Sequence, residues 1–453
     1  MTTARSTTSI VAIATPPGRG GIGIVRISGA ETPRIARALL GQLPAPRHAT
    51  FTSFRDAHGV ALDQGLALYF PAPHSFTGEH VLELHGHGGP VVMDMLLQRA
   101  LELGAQRARP GEFSERAFLN GKLDLAQAEA VADLIESASV QSARAALRSL
   151  EGEFSRRVQA IVEALIQLRL NIEAAIDFPE EEIDPLAGDP LQEQFRSLEN
   201  ELAALRNAAH QGSLLHDGMN VVLAGRPNAG KSSLLNALAQ RDSAIVSATP
   251  GTTRDIVREQ IVLDGMPLHI LDTAGLRPST DSIESEGVRR AHEAMSRADR
   301  VLLLVDDAEE TAPAIRHLAS ELPAGVAVTL VRNKIDVSGR TPGALATGES
   351  GMPEVALSAR TGAGLDALRA HLKDCMGYQS AGEGTFSARR RHLEALERAQ
   401  QQVANGAQQH QARRSELAAE ELRQAQRTLG EITGEFSNDD LLGRIFSSFC
   451  IGK

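Results

Sequence analysis

The chain has 453 residues, 42% of them hydrophobic, which fits two to four domains with ordinary buried cores. Its net charge of -11 weighs against broad nonspecific nucleic-acid binding, and zero Trp with two Tyr removes most base-stacking platforms. No apolar run nears the ~18 residues of a membrane span. The opening residues lack a basic stretch followed by a long apolar one, so no secretory signal is expected. Cys375 and Cys450, the two cysteines, build no disulfide framework, so a cytoplasmic location without membrane contact is expected.

Residues 1–122 read as an α+β unit. Val11-Ala12-Ile13-Ala14, Gly23-Ile24-Val25-Arg26-Ile27 and Val81-Leu82-Glu83-Leu84-His85 are expected strands between Gly/Pro-rich turns. Two glycine clusters flank them, at residues 17–21 and 86–89. Residues 123–217 then read as helical. Val131, Leu134, Ile135 and Ala138 suggest one apolar face, and Ile161, Leu165, Leu168 and Ile172 another. An acidic, proline-bounded stretch at 179–185 interrupts them.

Residues 218–377 alternate strand and helix signals, as a mostly parallel sheet flanked by helices requires. A short apolar strand at 219–224 leads into Gly225-Arg226-Pro227-Asn228-Ala229-Gly230-Lys231-Ser232. This fits G-x-x-x-x-G-K-[ST], and Leu234, Leu235 and Leu238 continue it as a helix. A glycine-rich turn at a helix N-terminus offers unpaired amides and a favourable dipole to phosphates. Lys231 would reach the outer phosphates and Ser232 would hold Mg2+.

Downstream, Gly251-Thr252-Thr253-Arg254-Asp255 suits a switch loop that grips Mg2+ while a third phosphate is present. Asp272-Thr273-Ala274-Gly275 follows a strand at 267–271; Asp272 would hold Mg2+ through water, and the Gly275 amide would meet the terminal phosphate. Asn333-Lys334-Ile335-Asp336 follows an apolar run at 326–331. The Asp336 carboxylate can accept from N1–H and the exocyclic amine of guanine, and adenine offers neither donor. Lys334 would pack over the nucleotide, Asn333 would hold the loop, and the amides of Ser358-Ala359-Arg360 can face the guanine O6.

After D-x-x-G, where Ras-like GTPases carry a water-orienting Gln, stands Leu276, which cannot bond water. Another group must complete hydrolysis: Glu284, Glu286, Arg254, Arg277, or a monovalent cation held partly by Asn228. Residues 378–453 return to helix, strongest over 389–427. The phosphate-binding domain therefore reads as an insertion in a helical domain of two segments, 123–217 and 378–453. The fold class is α/β plus all-α.

The chain resembles the MnmE (TrmE) family of bacterial tRNA-modification GTPases essentially end to end. Four stretches carry the resemblance: Ala14-Thr15-Pro16-Pro17-Gly18-Arg19-Gly20-Gly21, Phe76-Thr77-Gly78-Glu79 with Gly86-His87-Gly88-Gly89, Leu119-Asn120-Gly121-Lys122-Leu123-Asp124-Leu125, and the terminal Phe449-Cys450-Ile451-Gly452-Lys453. The resemblance implies a tetrahydrofolate-binding N-terminal domain, a helical domain and an inserted Ras-like G domain. It implies a homodimer through the N-terminal domains and a complex, heterotetrameric or larger, with the FAD-dependent protein MnmG. Together these would place an aminomethyl or carboxymethylaminomethyl group on C5 of the wobble uridine (U34) of certain tRNAs, with 5,10-methylene-tetrahydrofolate as donor and 5-formyl-tetrahydrofolate as analogue.

Folate contacts are implied at Arg26, Glu83, Lys122 and Lys453. A pterin presents a guanine-like donor edge to a carboxylate such as Glu83, and the folate glutamate tail wants cations. Potassium is implied at Asn228, Ser247, Thr249 and Thr252, Mg2+ at Ser232 and Thr253, and a water-orienting carboxylate at Glu284. Two G domains would meet across the nucleotide face. Motifs and resemblance together set the GTP contacts at Asn228, Ala229, Gly230, Lys231, Ser232, Ser233, Ser247, Ala248, Thr249, Pro250, Gly251, Thr252, Thr253, Asp272, Thr273, Ala274, Gly275, Asn333, Lys334, Asp336, Ser358, Ala359 and Arg360. Cys450 is either a nucleophile near the one-carbon donor or a packing residue. A ribosome-assembly GTPase and a purely regulatory GTPase are the alternatives; the first usually adds a basic RNA-binding domain that this acidic chain lacks.

Overall fold

The computed structural model describes residues 8–177, 190–241, 258–272, 293–348, 350–378, 384–436 and 439–452. Two compact units emerge: residues 1–132, 150–200 and 395–453 form one, residues 133–149 and 201–394 the other. Among the described residues no helix is long and apolar enough to cross a membrane.

The first unit begins with strands β1 (Ile10–Ile13) and β2 (Gly20–Ser28), helix α1 (Thr32–Leu40), and strands β3 (Thr50–Arg55), β4 (Ala61–Phe70) and β5 (Val81–Gly88). Helix α2 (Pro90–Glu102), strand β6 (Gln106–Arg107) and helix α3 (Glu112–Leu119) follow. The sheet order is β3-β4-β5-β2-β1-β6, antiparallel except for β1 with β6. Period-two alternation sorts the faces. Val25, Ile27, Leu82 and Leu84 turn inward onto Ile35, Leu39 and Leu96 of α1 and α2. Each fully buried Leu or Ile adds about 1.5–3 kcal/mol. Arg26, Glu83 and His85 fall on the opposite, half-buried face. Strands β1, β2 and β5 match the apolar runs marked in the sequence, whereas β3, β4, α1 and α2 fall outside those runs.

Helices α4 (Leu125–Glu136), α5 (Val140–Leu150), α6 (Glu153–Asp177) and α7 (Pro190–Asp217) come next in the chain. On α6, Ile161, Leu165, Leu168 and Ile172 are all buried, as their spacing predicts. The expected face of α4 is wrong. Leu125, Ala128 and Ala132 pack inward against Ile445, Phe446 and Phe449, while Ile135 is 47% exposed and the helix ends before Ala138. The next residue on that helix, Asp133, explains the rotation.

Within the second unit, Asp133 is 6% exposed and fully partnered. Its Oδ1 accepts from Arg389 Nη2 at 2.6 Å and pairs with His216 Nε2 at 3.0 Å, and its Oδ2 accepts from the Ser387 hydroxyl at 2.5 Å. Burial alone would raise the Asp133 pKa, but His216, Arg389 and Ser387 outweigh it and hold the carboxyl below the usual range. Burial likewise opposes the charged His216, yet its bonds to Asp133 and Asp217 push it up to about 10. The signs follow. The His216 contribution is complete below its unfolded value near 6.5 and is lost as pH rises through about 10. The Asp133 contribution is present above its ordinary 3.8 and is lost as pH falls. Asp133→Ala, which strands buried cations, is expected to cost about 3–5 kcal/mol. Urea unfolding at pH 7 and pH 10.5 checks it: the variant should be weaker at pH 7 and lose less than wild type on going alkaline.

The nucleotide-type fold follows: β7 (Met219–Gly225), α8 (Lys231–Arg241), β8 (Arg258–Leu263), β9 (Met266–Asp272), β10 (Arg300–Asp306), α9 (Ala312–Ser320), β11 (Val328–Asn333), α10 (Ile335–Ser338), β12 (Gly343–Leu345), β13 (Glu354–Ala356) and α11 (Leu365–Met376). Helices α12 (Arg390–Gln411), α13 (Ser415–Thr433) and α14 (Asp439–Ser447) close the chain. The seven-stranded sheet runs β12-β13-β11-β10-β7-β9-β8, parallel except for the edge strands β8 and β12. Both faces are covered. Leu234 and Leu238 of α8 and Leu368 of α11 pack in one core with Val221, Leu302 and Leu304; Ile315 of α9 packs in the other with Val222, Val301 and Leu303. A doubly covered parallel sheet binds ligands at the carboxyl ends of its strands. The loops after β7, β11 and β13 all leave from that edge.

Candidate functional site

The loop after β7 is shaped by its glycines. At Gly230 φ is +97°, and a Cβ there would lie 2.2 Å from Asn333 Nδ2. Only glycine fits this cradle. Asn228 adopts the left-handed region with φ 62° and is exposed on the same loop. Lys231 opens α8 and is only 7% exposed. Its Nζ donates to the carbonyls of Gly225 and Arg226 at 2.9 and 3.0 Å, so the ammonium stays over the loop mouth. Ser232 and Ser233 are exposed in the first helical turn, where amides lack intrahelical acceptors.

One side chain ties three loops together. Asn333 Nδ2 donates to the Ala229 carbonyl at 2.9 Å, and its Oδ1 accepts from the Ala359 amide at 3.0 Å. Only this amide orientation satisfies both partners. Asn333 thus fixes the spacing between the phosphate loop and the loops that would hold a base. Lys334, with φ 64°, donates to Asp306 Oδ2 at 2.6 Å. Asp336 Oδ1 accepts from the Ser358 hydroxyl at 2.6 Å, and its Oδ2 pairs with Arg360 Nη2 at 2.5 Å. The Ser358 bond, more than the Arg360 charge, holds the Asp336 carboxyl below the usual range. It is therefore an acceptor-only group at neutral pH. Behind it, buried Arg332 pairs with Glu354 at 2.9 Å and Asp307 at 3.3 Å. Neither this buttress nor the Asp306 partner of Lys334 was foreseen. Asp306 ends β10 just as Asn333 ends β11, which is the signal that could have found it.

Other expected residues fall elsewhere. Ser247, Ala248, Thr249, Pro250, Gly251, Thr252, Thr253, Arg254, Thr273, Ala274, Gly275, Leu276, Arg277, Glu284, Glu286 and Lys453 lie outside the described residues. Asp272 ends β9, beside the Leu223 position of β7 in the sheet. Of the potassium set Asn228 alone is described, and of the Mg2+ set Ser232 alone.

A second cluster sits on the open sheet face of the N-terminal unit. Arg26 and Glu83 are register partners on β2 and β5. Arg26 Nε donates to Glu83 Oε1 at 2.9 Å, and Arg26 Nη1 donates to the Gly452 carbonyl at 3.2 Å. Its guanidinium lies 5.9 Å from the Phe76 ring centre and 5.8 Å from that of Phe113. The stem of exposed Lys122 passes Gly78, two residues from Phe76. Arg26 and Glu83 therefore adjoin the 76–79 loop, Lys122 borders that loop, and the C-terminal tail reaches Arg26. Cys450 is a free, exposed thiol two residues before Gly452.

Two family descriptions match the chain. "GTP-binding protein TrmE N-terminus" covers residues 9–122, and "MnmE helical domain" covers residues 125–450. A protein of Pectobacterium atrosepticum named tRNA modification GTPase MnmE is 59% identical over 99% of this chain and 100% of its own length. A protein of that name from Yersinia pseudotuberculosis is 58% identical over the same shares. Among solved structures, Aquifex aeolicus Era bound to GDP.AlF4- is 26% identical, covering 41% of this chain and 66% of that one, with a TM-score of 0.27.

Proposed function

We propose, from the premise that this chain belongs to the MnmE (TrmE) family of tRNA modification GTPases, that it hydrolyses GTP to drive modification of the wobble uridine of certain tRNAs. With the FAD-dependent partner MnmG it adds an aminomethyl or carboxymethylaminomethyl group at C5. The one-carbon unit comes from methylene-tetrahydrofolate. The observation that carries the GTP half is the Asn333 amide, which locks the Gly230 cradle to the Asp336 and Ala359 loops.

The residues fit a guanine nucleotide. Gly230 has no room for a Cβ because Asn333 Nδ2 crosses there, and the loop it anchors leaves backbone amides at the start of α8 for phosphate. Lys231 places a buried cation at the loop mouth, where negative charge develops in the transition state. The ionised Asp336 offers two oxygens to the guanine donor edge. Ser232 with Thr253 would hold Mg2+, which would supply positive charge against the outer phosphates. Asn228, Ser247, Thr249 and Thr252 would hold potassium, Glu284 would orient water, and pairing of two G domains would supply what Leu276 cannot.

The Arg26–Glu83 pair fits a folate. Glu83, held by Arg26, takes the pterin donor edge, and Lys122 and Lys453 offset the anionic tail. The chain works as a homodimer in the cytoplasm. Ribosome-assembly and purely regulatory readings gain no support from the N-terminal cluster. Reconstitution is the test. Unmodified tRNA, the purified chain, MnmG with FAD and NADH, methylene-tetrahydrofolate as carbon source, ammonium or glycine as nitrogen source, and GTP in potassium buffer should yield C5-modified wobble uridine by nucleoside mass spectrometry. Sodium in place of potassium, or omission of folate, should abolish it. Product formed without folate would refute the donor assignment, and equal yield in sodium would remove the ion's role.

A further inference from the structure

Glu83 is held at both oxygens, by different partners. Its Oε1 faces Arg26, whose Nε and Nη2 both lie 2.9 Å away. Its Oε2 lies 3.1 Å from His85 Nε2. Since a carboxylate only accepts, the His85 tautomer that satisfies this contact carries its proton on Nε2. Glu83 and His85 are two apart on β5, so both stand on the same face of the sheet. Both are largely buried there, with side chains 16% and 23% exposed.

The two holds differ in effect. Arg26 is itself fixed, by Phe76, Phe113 and the Gly452 carbonyl. It pins one oxygen, about which the carboxylate plane could still turn. His85 pins the second oxygen and thereby sets the plane. A pterin edge donates two parallel N–H bonds, which need two acceptor oxygens in one plane. We propose that His85 is a positioning residue for the folate site: it orients Glu83 so that only ligands with two adjacent donors bind well. This rests on the folate reading of the Arg26–Glu83 pair.

The test uses the full-length protein and two probes, 5-formyl-tetrahydrofolate and its 2-desamino counterpart, which lacks one donor. Wild type should prefer the first by about 10-fold or more, because a lost partner strands a buried acceptor. His85→Leu should weaken binding of the first roughly 10-fold and bring the preference close to one, with unchanged far-UV circular dichroism. His85→Gln, whose amide can still donate, should restore most of the preference. A general packing defect would weaken both probes alike and leave their ratio intact; that result overturns the role of His85 while the folate reading stands. Failure of wild type to bind either probe overturns the folate reading and the inference together.

Discussion

Lys231→Ala slows single-turnover GTP hydrolysis by at least about 100- to 1,000-fold, the usual cost of deleting one preorganised group aimed at developing charge. The geometry sets this expectation. The ammonium is almost entirely buried and is positioned by two backbone carbonyls of its own loop. It therefore needs no reorganisation when phosphate charge arrives. A buried cation is also the main counter-charge in the Gly230 cradle. The variant removes it while leaving Asn333 to hold the loop. Fluorescent GDP binding beside the hydrolysis assay separates chemistry from affinity. A variant within threefold of wild type in hydrolysis would refute the phosphate-loop assignment.

Asp336→Asn weakens GTP binding by about 10,000-fold, the discrimination typical of a site whose donor–acceptor pattern is broken. The Ser358 hydroxyl and Arg360 keep the Asp336 carboxylate ionised, so wild type presents two acceptors. The amide variant turns one of them into a donor that opposes a guanine donor. Xanthine carries a carbonyl where guanine carries its exocyclic amine. The same variant should therefore prefer xanthosine triphosphate. Competition binding with the two triphosphates measures it. An unchanged preference for GTP would place base recognition elsewhere.

What could be read without coordinates was what is local in sequence. The phosphate loop and Asn333-Lys334-Ile335-Asp336 are contiguous, and each sits where a strand ends, so spacing alone places them. Long-range partners were invisible. Asp133 meets Arg389 at a separation of 256 residues, and nothing near Asp133 announces it. That pair is why α4 was misread: apolar spacing favoured Val131, Leu134, Ile135 and Ala138, but a fully partnered acid turned inward and left Ile135 in solvent. Strand β4 was missed for a related reason. Gly65 lowers its strand propensity, yet a Cβ there would lie 2.0 Å from the His85 carbonyl, so close strand approach demands glycine. In the N-terminal cluster, Glu83 is implied by the family resemblance rather than by any motif. His85 carries no motif of its own; its i, i+2 spacing from Glu83 places both on one face of β5, but only the structure shows the two side chains in contact.

A tRNA modification GTPase family member couples a guanine-nucleotide site to a chemical change on tRNA. The most direct measurement is nucleoside mass spectrometry of tRNA from cells lacking this chain, complemented with wild type or with Lys231→Ala at matched abundance. Restoration of the C5-modified wobble uridine by wild type alone is the predicted result. Equal restoration by the Lys231→Ala chain would contradict the link between hydrolysis at the Gly230 cradle and modification.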